Sequence, residues 1–250
     1  MSTATRRAAP AGRRVRRQAA FETGVLLRNG EQLLVAIILP ALALFGLHLA
    51  DVPDLGSDRI RLVAPGVLAL AVASTAFTGQ AISTAFDRRN GVLRLLGTTP
   101  LGRGGLVGGK MIATSAVLAI HLVVLAILAA ALGWRPEARG ILPGVVTIVL
   151  GEACFVALAL AVAGRMRAEA VLAVANLVWV LFLGLGLLLP TRILPSGLAG
   201  VARVLPSGAL GDALRMAFAD GHWPFAQWGV LVTWLALGAV VTARTFRWSD

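Results

Sequence analysis

Three groups of residues in this 250-residue chain have types and spacings that could do chemistry. Gly104-Gly105-Leu106-Val107-Gly108-Gly109-Lys110 satisfies G-x-x-x-x-G-K, the spacing in which backbone amides and a lysine cradle nucleotide phosphates between a strand and a helix. Met111 stands where a Ser or Thr would bind magnesium, no strand precedes the run and an apolar stretch follows, so nucleotide binding does not fit. The glycines read instead as places where a helix or a partner approaches closely. The second group is His121, Glu152 and Asn176, each near the middle of an apolar stretch, where polar groups are costly and should face one another or water. A proton relay, a substrate contact and plain interhelical hydrogen bonding would each account for them. The third group is the remaining metal-ligating and nucleophilic side chains. His48, His121 and His222 lie on different segments without a second His or Cys at ligand spacing, and no G-x-S-x-G occurs. Neither a metal centre nor a hydrolytic nucleophile is expected, and the chain does not read as an enzyme.

The elements that position these residues follow from composition. Hydrophobic residues make up 58% of the chain and charged ones 14%, with mean hydropathy +0.83. Soluble domains carry about a quarter charged residues, so the solvent for most of this chain is lipid. Crossing about 30 Å of hydrocarbon takes about 20 helical residues. Windows of that size free of Asp, Glu, Lys and Arg, the fourth of them Ala170 to Thr191, predict spans near 32–50, 62–86, 111–133, 169–189 and 224–243, and a sixth at 141–163 is interrupted only by Glu152. A carboxylate there costs about 2.5 to 3.5 kcal/mol, while each Leu, Ile, Val or Phe returns roughly 0.3 to 0.6 kcal/mol, so the sixth window inserts. The stretches show no alternating polarity, and backbone groups in lipid must pair internally. The fold class is therefore an all-α membrane protein with six transmembrane helices, not a barrel.

With the N-terminus inside, sixteen of the 23 Lys and Arg fall in cytoplasmic segments: seven before the first span, five between Asp87 and Lys110, two at 165 and 167, and two at 244 and 247. Both termini then face the cytoplasm. That topology and inner-leaflet phospholipid account for the net charge of +11 without nucleic acid. Cys154 falls within a span and reads as a small packing residue. Residues 1–30 form a basic tail whose second half, from Arg13 to Leu27, reads as an amphipathic helix on the inner leaflet. The longest cytoplasmic connection, 87–110, holds a short helical stretch at Asn90–Gly97 with Leu93 and Leu96 on one face and Arg94 on another, closed by Gly97 and Pro100. Such a helix serves a protein partner or lies flat on headgroups. Residues 190–222 are broken by Pro190, Pro195 and Pro206, too short for a span, and read as an external re-entrant region before the last span.

The run Phe86-Asp87-Arg88-Arg89-Asn90-Gly91-Val92-Leu93-Arg94-Leu95-Leu96-Gly97-Thr98-Thr99-Pro100-Leu101, continuing to Gly109-Lys110, resembles the loop between spans two and three of permeases of type-2 ATP-binding-cassette (ABC-2 type) transporters. There an acidic and basic pair, a Gly and a hydrophobic helix precede Thr-Pro-Leu, and Gly-Lys opens span three. Leu205-Pro206-Ser207 and Asp212-Ala213-Leu214-Arg215 are similar to the family's external segment before the last span. The resemblance covers essentially the whole chain. It implies a permease subunit, with a second permease copy or a sister permease beside it in the lipid bilayer. Separate ABC ATPase (nucleotide-binding) subunits would bind ATP and Mg, and no cofactor would sit in this chain. It implies, too, that Asp87, Arg88, Arg89, Asn90, Gly91, Leu93, Arg94, Leu96 and Pro100 form an ATPase-coupling loop. Export of amphipathic drugs, antibiotics or lipids across a bacterial inner membrane is the expectation. A proton-coupled secondary transporter using Glu152 and His121 is the alternative.

Overall fold

The computed structural model describes residues 9–28, 30, 34–50, 58–97 and 99–246, leaving aside the side chains of residues 34, 35, 96, 97, 103, 106 and 107. All regular structure among these residues is helical. Helix α1 (Ala11–Arg28) precedes a π-helical turn at Leu34–Ile38 that runs into α2 (Leu39–Leu49). The next continuous rod is α3 (Arg59–Ala73), a π segment at Ser74–Gly79, and α4 (Gln80–Arg89). Then come α5 (Val92–Gly97), α6 (Gly102–Ala131), α7 (Ile141–Ala163) and α8 (Ala168–Phe182). Two short helices, α9 (Ser196–Val204) and α10 (Pro206–Phe218), lead to α11 (Phe225–Thr245).

Among the described residues, five helices are long and apolar enough to cross a membrane: Arg59–Arg89, Gly108–Ala131, Ala138–Ala163, Ala168–Leu187 and Phe225–Thr245. A sixth apolar helix, Ala36–Leu49, is shorter, and residues 32 and 33, the start of the expected first span, lie outside the described residues. The Arg59–Arg89 rod is the hub. Its apolar window is 89% buried inside the protein, against 11% for Phe225–Thr245, which therefore turns most of its surface outward. The reason lies in side-chain size. Ala64, Ala69, Ala71, Ala73, Ala76, Ala81 and Ala85 let neighbouring helices approach the rod on every side. Phe77 of the π segment, Phe155 of α7 and Phe182 of α8 then fill the centre, with ring centroids 5.5 to 6.4 Å apart in edge-on and tilted pairs.

Two boundaries differ from those read in the sequence. Helix α6 starts at Gly102, well inside the stretch 87–110 expected as a loop, because packing against α1 overrides the low helix propensity of its glycines. Helix α8 does not run on to a clean end. Its last turn breaks at Leu185 (φ −105°, ψ 56°) and Gly186 (φ +86°), a left-handed position that favours glycine. Beyond the break, α10 packs against α3 and α7 with Leu210 and Leu214 fully buried.

Candidate functional site

The stretch between α4 and α6 is built from a helix stop, a short helix and a return. Asn90 caps α4, donating its backbone N–H to the Phe86 carbonyl (2.9 Å), and Gly91 takes φ +72° so that the chain can turn. In α5, Leu93 is 1% exposed and turns into the protein, while Val92, Arg94 and Leu95 face outward, Leu95 at 69% exposure. The side chain of Leu96 lies outside the described residues. Pro100 is exposed on the return, and its carbonyl accepts a hydrogen bond from the Arg14 guanidinium.

Both roots of this stretch are tied down by charges. Lys110, the only lysine in the sequence, is 6% exposed and pairs with Asp87 (2.6 Å) and Glu22 (3.2 Å). Gln18 donates to the second oxygen of Glu22 (2.9 Å). Three helices thus meet at one ammonium: α1, α4 and α6. Arg88 is buried and donates to the carbonyls of Ala163 (2.7 Å) and Met166, capping the C-terminal end of α7. Arg89 pairs with Glu169 at the surface, where an ion pair contributes little. Asp87, Arg88 and Arg89 therefore all have partners within the chain. The glycines of the decoy phosphate loop have a structural use: Gly105 and Gly108 lie against Val15, and a Cβ on Gly109 would come within 2.9 Å of Gln18 Cγ. They form the seat on which α1 rests.

The intramembrane polar residues are not gathered into one site. His121 is 1% exposed, and its Nδ1 shares a hydrogen bond with Thr75 Oγ1 (3.0 Å), while Nε2 is buried without a partner. Glu152 accepts from Ser115 Oγ (2.6 Å). Asn176 is exposed on α8 and donates to the Leu172 carbonyl of its own helix (3.0 Å). On α6, Lys110, Thr114 and His121 share one stripe, and Thr114 donates to Gln80, which donates to Thr84 (2.9 Å each). A polar seam thus runs inward from the Lys110 cluster between α6 and the central rod.

A second network, which sequence reasoning did not place among site residues, holds the opposite end. Arg215 of α10 is 4% exposed. It donates to the carbonyls of Gly186 (3.1 Å), Leu187 (2.9 Å) and Leu62 (3.2 Å), and to Asp212 (3.3 Å). Asp212 in turn accepts from the backbone N–H (3.2 Å) and hydroxyl of Thr191. One guanidinium thereby satisfies carbonyls left open where α8 breaks and fastens α8, α10 and α3 together. Burial lowers its pKa to about 10, with the Asp212 charge and hydrogen bond opposing that shift, so it stays charged at neutral pH. The available signal was an arginine in an apolar segment with an acid three residues before it.

Residues 33–244 match the family model described as ABC-2 family transporter protein. No curated protein matches the chain.

Proposed function

The chain belongs to the ABC-2 transporter family, and on that premise we propose that it is the permease of an exporter driven by ATP hydrolysis in separate ATPase subunits. It is a multi-pass membrane protein, an ABC transporter permease. In the proposed assembly two copies, or one copy and a sister permease, enclose the path in a bacterial cell membrane, with both termini in the cytoplasm. Helix α5 seats in a cleft of the ATPase and moves as a lever when ATP closes the ATPase pair. Cargo is amphipathic: drugs, antibiotics or lipids that travel along a mostly apolar path.

The observation that carries this reading is the two-sided build of α5. Leu93 anchors the helix inward, Val92, Arg94 and Leu95 are presented outward, and the connection is rooted at Asp87 and Lys110. A lever needs both a firm root and an outward contact face. Replacing Arg94 by Glu and Leu95 by Asp is expected to leave the permease inserted at normal abundance while ATPase co-purification and ATP-dependent export each fall by about tenfold or more, the scale of losing a central contact pair. Leu93→Asp should behave differently. It places an unpaired charge in a buried position and lowers the amount of folded permease itself. Export and ATPase capture at wild-type levels in the Arg94/Leu95 variant would refute the coupling assignment.

A further inference from the structure

We propose that the outward face of α1 is a binding surface for anionic phospholipid headgroups of the cytoplasmic leaflet, and that lipid charge there sets how firmly the loop 87–110 is held. The second half rests on the coupling role proposed above; the first does not.

Helix α1 has two faces of different character. Val15, Gln18, Ala19, Glu22 and Leu26 lie on one side, where Val15, Gln18 and Ala19 contact the glycine seat of α6 and Glu22 reaches Lys110. Arg13, Arg16, Arg17, Phe21, Val25 and Leu27 lie on the other and are exposed, Phe21 at 67% and Val25 at 50%. Glu22 is the only acid in the helix and is turned inward, so no carboxylate of α1 competes for the three guanidiniums. Exposed basic residues in the first half of α1 followed by exposed Phe21, Val25 and Leu27 match the boundary between headgroups and acyl chains, which takes both kinds of group at once. An acidic protein surface would suit the arginines but not the exposed Phe21. Each basic residue close to an anionic leaflet strengthens binding by roughly fivefold.

The same helix touches both ends of the coupling loop. Arg14 holds the Pro100 carbonyl on the return, and Glu22 shares Lys110 with Asp87 at the root. Pulling α1 onto the membrane surface therefore seats Glu22 on Lys110, and releasing it loosens the triad.

The chain itself supplies a reporter, because Lys110 is its only lysine. Full-length permease is placed in nanodiscs of phosphatidylcholine with and without phosphatidylglycerol. Retained phosphatidylglycerol is counted by native mass spectrometry, and the rate of Lys110 modification by an amine reagent is followed by peptide mapping. The variants are Arg13→Gln/Arg16→Gln/Arg17→Gln, the corresponding triple Lys variant, and Glu22→Gln. Phosphatidylglycerol should be retained by the wild type and the Lys variant and lost by at least about tenfold in the Gln variant. It should slow Lys110 modification in the wild type and the Lys variant, and should no longer do so in Glu22→Gln, which still keeps the lipid. Equal retention by the Gln variant overturns the lipid surface. A Gln variant whose only defect is lost ATPase binding, whatever the lipid, overturns it in favour of an acidic protein. Retention that follows the arginines while Lys110 reactivity ignores lipid overturns the link to the loop. The lipid and Lys110 readouts are made without the ATPase, so failure of the coupling reading shows separately, as absent ATPase capture by the wild type.

Discussion

Lys110 illustrates how one residue carries two readings. By spacing it completes a phosphate-loop decoy, and by position it is the shared partner of Glu22 and Asp87. A lone ammonium between two largely buried carboxylates stabilises both, and removing it leaves like charges facing each other. Lys110→Met is expected to destabilise the permease by about 3 to 5 kcal/mol, visible as an earlier unfolding transition of the purified protein in detergent. A transition at the wild-type temperature would show that the triad is not a structural bond. At the other end, Gly186 sits at φ +86°, and a Cβ there would come within 2.5 Å of Thr191 Cγ2 and 2.9 Å of Gly208 Cα. Gly186→Ala should cost about 1 to 3 kcal/mol through backbone strain and crowding together, measured by the same transition. Of these residues, Lys110 was legible as a charge opening an apolar stretch, but its partner Glu22 lies 88 positions away, a distance that no local spacing encodes. Arg215 was legible only as part of a motif; two of the carbonyls it holds, those of Gly186 and Leu187, belong to a helix break that leaves little trace in composition.

At the scale of elements, the long apolar helices were readable because lipid imposes both length and composition on them. The π segment at Ser74–Gly79, the break in α8 and the early start of α6 were not, because each is decided by a neighbour: Phe155 and Phe182 around Phe77, Arg215 at the break, and α1 on the glycine seat. That seat gives a prediction of its own. Gly109→Leu places a full side chain against Gln18 and Ala19 and should push α1 off α6, raising both protease cleavage within α1 and amine modification of Lys110. Unchanged cleavage and modification would show that α1 is held by other contacts. Gly109→Ala should do much less, since the nearest atoms are on the flexible Gln18 side chain.

For the whole molecule, two fastened ends emerge around one central rod. One end is tied by Lys110 and Arg88 and the far end by Arg215, with the Phe77, Phe155 and Phe182 cluster between them. His121 and Glu152 hold separate partners, Thr75 and Ser115, and do not pair with each other. Such a frame suits a gate worked from one end by an external motor. The measurement that reaches this most directly is transport in proteoliposomes containing the permease with or without its partner ATPase, energised by ATP or by a proton gradient. The account predicts ATP-dependent movement of an amphipathic cargo only when both proteins are present, and none from the permease alone under either energy source. Uphill transport by the lone permease on a proton gradient would contradict it.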